Sequence, residues 1–141
     1  MYNYKYPRPA VTVDALVYTK EENRFWVLLI QRGRQPFKGT WALPGGFAGI
    51  DELLETACKR ELQEETGLKL EKMNQFRTFD AINRDPRHRT ISVVFSAELS
   101  EKKAVKGGDD ADKAGWFPVN ELPDMAFDHR GILDAFFQKT S

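Results

Sequence analysis

Three glutamates, Glu61, Glu64 and Glu65, fall within one short stretch of a segment, Leu54–Thr66, rich in Leu, Glu, Lys and Ala and closed by Gly67. That composition ahead of a glycine terminator predicts a helix. On a wheel of ~100° per residue starting at Leu54, the residues Ala57, Cys58 and Leu62 define a broad apolar arc. Glu61 and Glu65 fall near the centre of that arc and Glu64 on its flank. Thr56, Lys59 and Gln63 face water, with Glu55 at the margin. Two carboxylates therefore point where the apolar stripe requires core. A buried, unpaired carboxylate costs several kcal/mol, and carboxylates at i, i+3 and i+4 stand within ~6 Å and repel one another. A divalent cation with a preference for oxygen ligands resolves both problems. The competing reading is a solvated acidic helix face.

Two loops carry further chemistry. Residues 80–89 form a polar stretch with Arg84, Arg87 and Arg89, suited to anions through charge-assisted hydrogen bonds. Residues 104–112 hold Gly107-Gly108-Asp109-Asp110, an acidic turn. Cys58, the single cysteine, has no His or Cys partner nearby in sequence and reads as core.

The elements that must position these groups read as follows. Residues 11–18 and 25–30 are β-rich runs around a polar turn, which predicts a hairpin with a well-buried second strand. Residues 41–43 form a short strand stopped by Pro44-Gly45-Gly46, and Trp41 is core. Residues 68–79 and 90–98 predict two further strands, and residues 115–117 a short one. Asp128 is the expected N-cap of a last helix over residues 130–139, with Ile132, Leu133, Phe136 and Phe137 on one side; His129 then needs no role beyond starting that helix. Strands with one helix in the middle and another at the end predict an α/β fold with a mixed sheet covered on both faces.

Composition bounds the function. At 141 residues with 41% hydrophobic side chains, the chain is one domain, residues 1–141, with a real core. Its 21 basic and 21 acidic side chains cancel, which argues against a chain-wide grip on nucleic acid or membrane. One cysteine excludes an internal disulfide. The N-terminus lacks the order of a secretory signal, and no apolar run reaches the ~20 residues that span a bilayer. A cytoplasmic protein is the expectation.

The stretch from Gly46 to Leu68 sharpens this. It reads Gly46, five residues, Glu52, seven residues, then Arg60-Glu61-Leu62-Gln63-Glu64-Glu65-Thr66-Gly67-Leu68, and it resembles the signature of the Nudix hydrolases at every defined position. The resemblance implies an α/β/α sandwich with a mixed sheet between helices. It implies a loop–helix–loop that binds Mg²⁺ or Mn²⁺ for attack of water on a nucleoside diphosphate linked to another moiety. Glu61, Glu64 and Glu65 match the metal-ligand and base positions, the carbonyl of Gly45 a backbone ligand, Arg60 the arginine that orients the glutamates, and Glu52 the acid closing the loop. Glycines at 45 and 46 would also let backbone approach a metal–phosphate centre.

Residues 83–95 resemble the Asp-Pro-Arg loop and following strand of the ADP-ribose pyrophosphatases in that family, which makes Arg84 and Arg87 substrate candidates. Asp109-Asp110 resembles an acidic loop of the same subgroup, with Asp110 as a further site candidate. Arg34 and Phe37 are rim candidates on the run into the box. The resemblance therefore implies hydrolysis of ADP-ribose to AMP and ribose 5-phosphate by a protein whose partner is a small-molecule nucleotide. It also implies a homodimer, as in many relatives. The box leaves other substrates open: nucleoside triphosphates, oxidised ones included, NADH and sugar nucleotides. From another class, an ADP-ribose sensor without turnover also remains.

Overall fold

The computed structural model describes residues 5–108 and 111–138. Strands β1 (Ala10–Glu21) and β2 (Arg24–Arg32) form the expected hairpin. Its turn is tighter than the polar stretch suggested. Glu22 and Asn23 alone make it, both at left-handed φ of 55° and 66°, the two-residue geometry whose twist matches that of the flanking strands. Both strands lengthen accordingly.

After β2 come β3 (Trp41–Ala42), β4 (Gly45–Phe47), helix α1 (Leu54–Thr66), β5 (Asn74–Phe79), β6 (Thr90–Leu99), β7 (Ala111–Pro118) and helix α2 (His129–Phe136). The spine of the sheet runs β3-β2-β1-β6-β5, with β4 on β1 and β7 on β2. β1 and β6 are parallel over ten residue pairs, and the other pairings are antiparallel. The sheet is mixed, as expected, and carries one helix on each face.

Alternation along β1 sorts the two cores. Val13, Ala15 and Val17 pack with Leu28 against Ala57, Cys58 and Leu62 of α1. Leu16 packs on the opposite face with Val27, Leu29 and Val94 against Ile132 and Leu133 of α2. Because β2 feeds both cores, its sequence is a continuous apolar run. Gly67 ends α1 at φ 79°, its N–H donating to the Gln63 carbonyl.

Four expectations are corrected. Pro44-Gly45-Gly46 does not merely stop a strand: residues 45–47 pair with residues 12–14 of β1. The strand expected over 68–79 begins only at Asn74. Before it, side chains of α1 satisfy the backbone instead: Glu55 accepts the Met73 N–H at 2.9 Å and Lys59 donates to the Glu71 carbonyl at 3.0 Å. The strand expected over 115–117 extends back to Ala111 because it pairs along most of β2. The last helix starts at His129 and ends at Phe136, and residues 139–141 lie outside the described residues.

These pairings open the cleft. β1 pairs with β2 only over residues 18–21; toward its N-terminal end it pairs with β4, while residues 30–31 of β2 pair with β3. The two strands therefore separate around the 43–44 connection. Thr12 and Asp14 of β1 and Ile30 and Arg32 of β2 become walls of one pocket. Among the described residues no helix is long and apolar enough to cross a membrane.

Candidate active site

Arg60 organises the acidic helix. Its guanidinium forks onto Glu52 at 3.1 and 2.6 Å, while Nη1 donates to Glu61 at 3.1 Å and to Glu64 at 3.2 and 3.3 Å. Nη2 also meets the Phe47 carbonyl at 3.3 Å. One cation thus ties the loop after β4 to two glutamates of α1. Glu52 accepts the Gly49 N–H at 2.7 Å as well, and these bonds, Arg60 first, hold its carboxyl below the usual range.

The three glutamates differ in placement. Glu64 is the most open, its side chain 42% exposed, against 15% for Glu61. Burial pushes the Glu61 carboxyl up, against the pull of Arg60. Glu65 is buried and accepts the Gly45 N–H at 2.8 Å. The wheel therefore placed Glu61 and Glu65 correctly on the inward arc and Glu64 on its flank.

The two glycines before the helix are required by close approach. A Cβ on Gly46 would stand 2.6–2.7 Å from the carboxylate of Glu61, and one on Gly45 would stand 2.2 Å from the Val13 carbonyl oxygen. The strand carrying Gly45 and Gly46 is thereby pressed against Glu61 and Glu65. Both glutamates line the cleft with Gly45, Gly46 and Phe47.

At the floor of the cleft is a network that sequence reasoning missed. Asp14, Ser92 and His129 are all buried. Ser92 donates its hydroxyl to Asp14, and Leu43 donates its N–H to His129 Nδ1 at 3.0 Å. Nδ1 is therefore the acceptor, and the neutral ring carries its proton on Nε2, 3.7 Å from Asp14 Oδ1. Burial lowers the proton affinity of His129, with Asp14 opposing. An Asp between Val13 and Ala15, in the buried stretch of β1, was the available signal.

The arginine loop lies against the same cleft. Arg84 is buried and forks onto Asp128 at 2.9 and 2.7 Å. Asp128 does occupy the N-cap position of α2, but its side chain makes no capping bond; the expected capping role is replaced by the pairing with Arg84. Arg87 forks onto buried Asp85 at 3.1 and 2.8 Å. Arg34 lines the cleft from its exposed side. Asp109 and Asp110 lie outside the described residues. The neighbouring Gly108 packs so closely on the end of α1 that a Cβ there would stand 2.5 Å from the Glu64 carbonyl oxygen. Phe37 is not among the residues that line the cleft, but its ring makes a T-shaped pair with that of Phe127, which is, at 4.9 Å between centroids.

Whether these groups suit a divalent cation follows from their chemistry. Among the described residues no three acidic, imidazole or thiol side chains converge closely enough to hold a metal ion by themselves. The cleft is lined by four carboxylates; Asp14 and Asp85 are engaged by Ser92 and Arg87, which leaves Glu61 and Glu65 from α1, while Glu64 is not among the lining residues. Mg²⁺ is ordinarily held in this way, by one or two carboxylates with substrate phosphates and water completing the shell. The donors present fit such a shared site, and do not form an all-protein cage.

Comparison with known proteins shows the family. The NUDIX domain pattern matches residues 8–136. The chain is 41% identical over 133 residues to the ADP-ribose pyrophosphatase of Methanocaldococcus jannaschii, spanning 94% of this chain and 76% of that protein. It superposes on the NUDIX domain of Shewanella oneidensis NrtR complexed with ADP ribose with a TM-score of 0.89 at 30% identity, covering 99% and 94% of the two chains. A bifunctional NMN adenylyltransferase/ADP ribose pyrophosphatase from Francisella tularensis, complexed with AMP and a Mn ion, gives a TM-score of 0.84 at 32% identity. That match covers 96% of this chain and 43% of the larger one.

Proposed function

The chain belongs to the NUDIX domain family as a Nudix pyrophosphohydrolase, and from that premise we propose that it hydrolyses ADP-ribose to AMP and ribose 5-phosphate with Mg²⁺ or Mn²⁺. The observation that carries the reading is a single cleft lined both by the carboxylates of Glu61 and Glu65 and by the arginines Arg32, Arg34, Arg84 and Arg87. A metal-bound diphosphate suits both kinds of group. The identity to an ADP-ribose pyrophosphatase and the likeness to an ADP-ribose-bound domain support the choice of substrate.

In this reading the reaction is substitution at phosphorus by water. A bound divalent cation supplies neutralisation of the diphosphate charge and a bound water of lowered pKa. Glu61, Glu64 and Glu65 would share that cation with the phosphates of the substrate, and the Gly45 carbonyl would be a backbone ligand. Arg60 and Glu52 are positioning residues: their fork fixes the rotamers of Glu61 and Glu64 before substrate arrives. Arg87, braced by Asp85, presents its guanidinium to the substrate. The buried Arg84–Asp128 pair holds the 80–89 loop onto the start of α2 and so shapes that wall.

The test is a hydrolysis panel of ADP-ribose, NADH, sugar nucleotides and nucleoside triphosphates with each metal, following the nucleoside monophosphate and the second phosphate product of each substrate (ribose 5-phosphate from ADP-ribose). ADP-ribose is expected to give the highest kcat/KM. Glu61→Gln and Glu65→Gln each keep shape and lose a charge, and are expected to lower kcat by roughly 10²-fold or more. A higher kcat/KM for another nucleotide overturns the substrate assignment and leaves the hydrolase. The second reading, an ADP-ribose-binding domain without turnover, is favoured by the likeness to the NrtR domain; binding with no product would establish it.

A further inference from the structure

The floor of the cleft holds a donor and an acceptor that face each other without bonding. Asp14 and His129 are 6% and 4% exposed, and both line the cleft. Ser92 occupies only Oδ2 of Asp14, and the Leu43 N–H occupies only Nδ1 of His129. That leaves Asp14 Oδ1 as an acceptor and the His129 Nε2–H as a donor, 3.7 Å apart. This separation is beyond a hydrogen bond, and among the described residues no hydrogen bond reaches either atom.

Both atoms are fixed from elsewhere in the fold. Asp14 pairs through its backbone with Gly45, and a Cβ on Gly45 would collide with Asp14 Oδ1, so the glycine leaves that oxygen its room. His129 is tied through Nδ1 to the 43–44 connection. One oxygen that both donates and accepts satisfies the pair, since hydrogen bonds of about 2.8 Å to each side close such a gap. A hydroxyl is the simplest group of that kind. The place in the cleft selects which hydroxyl. Gly45, opposite Asp14, donates its N–H to Glu65, so the pair lies beside the carboxylates proposed to share the cation with the diphosphate. In ADP-ribose the group joined directly to each phosphate is a ribose, and the base stands one sugar further away.

We propose that Asp14 and His129 are a ribose-recognition pair, Oδ1 accepting from, and Nε2–H donating to, the 2- or 3-hydroxyl of a sugar joined to the diphosphate. The proposal rests on the nucleotide reading of the site and deepens it, because it names the group read besides phosphate. ADP-ribose offers the same chemistry twice, in its adenosine and in its terminal ribose, and the experiment separates the two. Such a pair makes the cleft selective for ribose over deoxyribose, which attraction between charges alone cannot do.

The experiment measures binding by calorimetry with Mg²⁺ present. The ligands are AMP with its 2′- and 3′-deoxy forms, and ribose 5-phosphate with its 2- and 3-deoxy forms. The proteins are the wild-type chain, Asp14→Asn and His129→Asn. Asp14→Asn keeps an oxygen for Ser92 and loses the charge; His129→Asn keeps an acceptor for the Leu43 N–H and loses Nε2–H. In at least one series, loss of one hydroxyl is expected to weaken binding to the wild-type chain about tenfold. In both variants that penalty is expected to shrink to less than about twofold, because both changes remove the same interaction. A substitution that only loosens the fold weakens parent and deoxy ligands alike and leaves the penalty whole. A penalty in the AMP series assigns the ribose of adenosine, and one in the ribose 5-phosphate series the terminal ribose. No penalty in either series, or no binding by any of these ligands, overturns the proposal, and so does a penalty undiminished in either variant. Turnover of ADP-ribose without a hydroxyl penalty leaves the hydrolase standing and removes the pair from recognition. A penalty in a chain that cleaves no ADP-ribose refutes the proposed substrate and leaves the ribose pair standing.

Discussion

Gly45 and Gly46 are neighbours, yet adding one methyl group to each has different expected consequences. In Gly46→Ala the three nearest atoms the new Cβ meets all belong to the carboxylate of Glu61, at 2.6–2.7 Å. That carboxylate is the far end of a flexible side chain and can swing away. The expected stability cost is about 1 kcal/mol, at the low end for overpacking. For a chain of this size that lowers Tm by about 4 °C. The swing takes Glu61 off its bond to Arg60 and out of the cleft, so kcat is expected to fall by about 10²-fold, as when an electrostatic element of a transition-state site is lost. In Gly45→Ala the Cβ meets the Val13 carbonyl oxygen at 2.2 Å, and neither backbone can yield without breaking the Asp14–Gly45 pairing of β1 and β4. Here the expected cost is about 3 kcal/mol or more. Thermal unfolding followed by circular dichroism, with steady-state turnover of ADP-ribose on the same samples, separates the two. Wild-type kcat in Gly46→Ala, or a Tm loss equal to that of Gly45→Ala, would refute the argument.

Chelation is expected to abolish turnover and Mg²⁺ or Mn²⁺ to restore it; millimolar Mg²⁺ should also raise Tm, because the ligating carboxylates converge only in the native state. Arg84→Met leaves Asp128 facing a buried site without its cation, at an expected cost of about 3 kcal/mol; a Tm within about 2 °C of wild type would show that the pair is dispensable. Burial lowers the proton affinity of His129, so the native state binds fewer protons than the unfolded one. The stability it contributes is complete above about pH 6.5 and is lost as the pH falls through its lowered native value. His129→Gln should therefore flatten the fall in Tm between about pH 8 and about pH 5, and an unchanged slope would assign that fall to other groups.

The acidic helix was legible in the sequence because its information is local. Its span, its Gly67 terminator and the inward placement of Glu61 and Glu65 all follow from a period of 3.6 residues and one glycine. The hairpin and the two-sided sheet were legible for the same reason, since alternation and apolar runs report burial strand by strand. The register of the short β4 was not, because three residues with two glycines carry no periodicity. Their pairing with β1 comes from the route of the chain around the 43–44 connection.

What only the tertiary structure decided is which charges meet. The Arg84–Asp128 pair spans 44 residues and the Leu43–His129 bond 86; no local pattern marks either. Asp128 read as a helix cap and His129 as a helix start, because side chains of those types serve such roles in isolation. A cap bond competes with any stronger partner the fold delivers, and a buried guanidinium forking onto a carboxylate outcompetes a lone backbone N–H. Arg32 opens the run into the box, and its half-buried place on Phe127 exists only because β1 and β2 separate. The sequence by itself determined the residues able to do chemistry, through local spacing. Strand register and packing determined which of them share a cleft, since that depends on contacts between residues far apart in the chain.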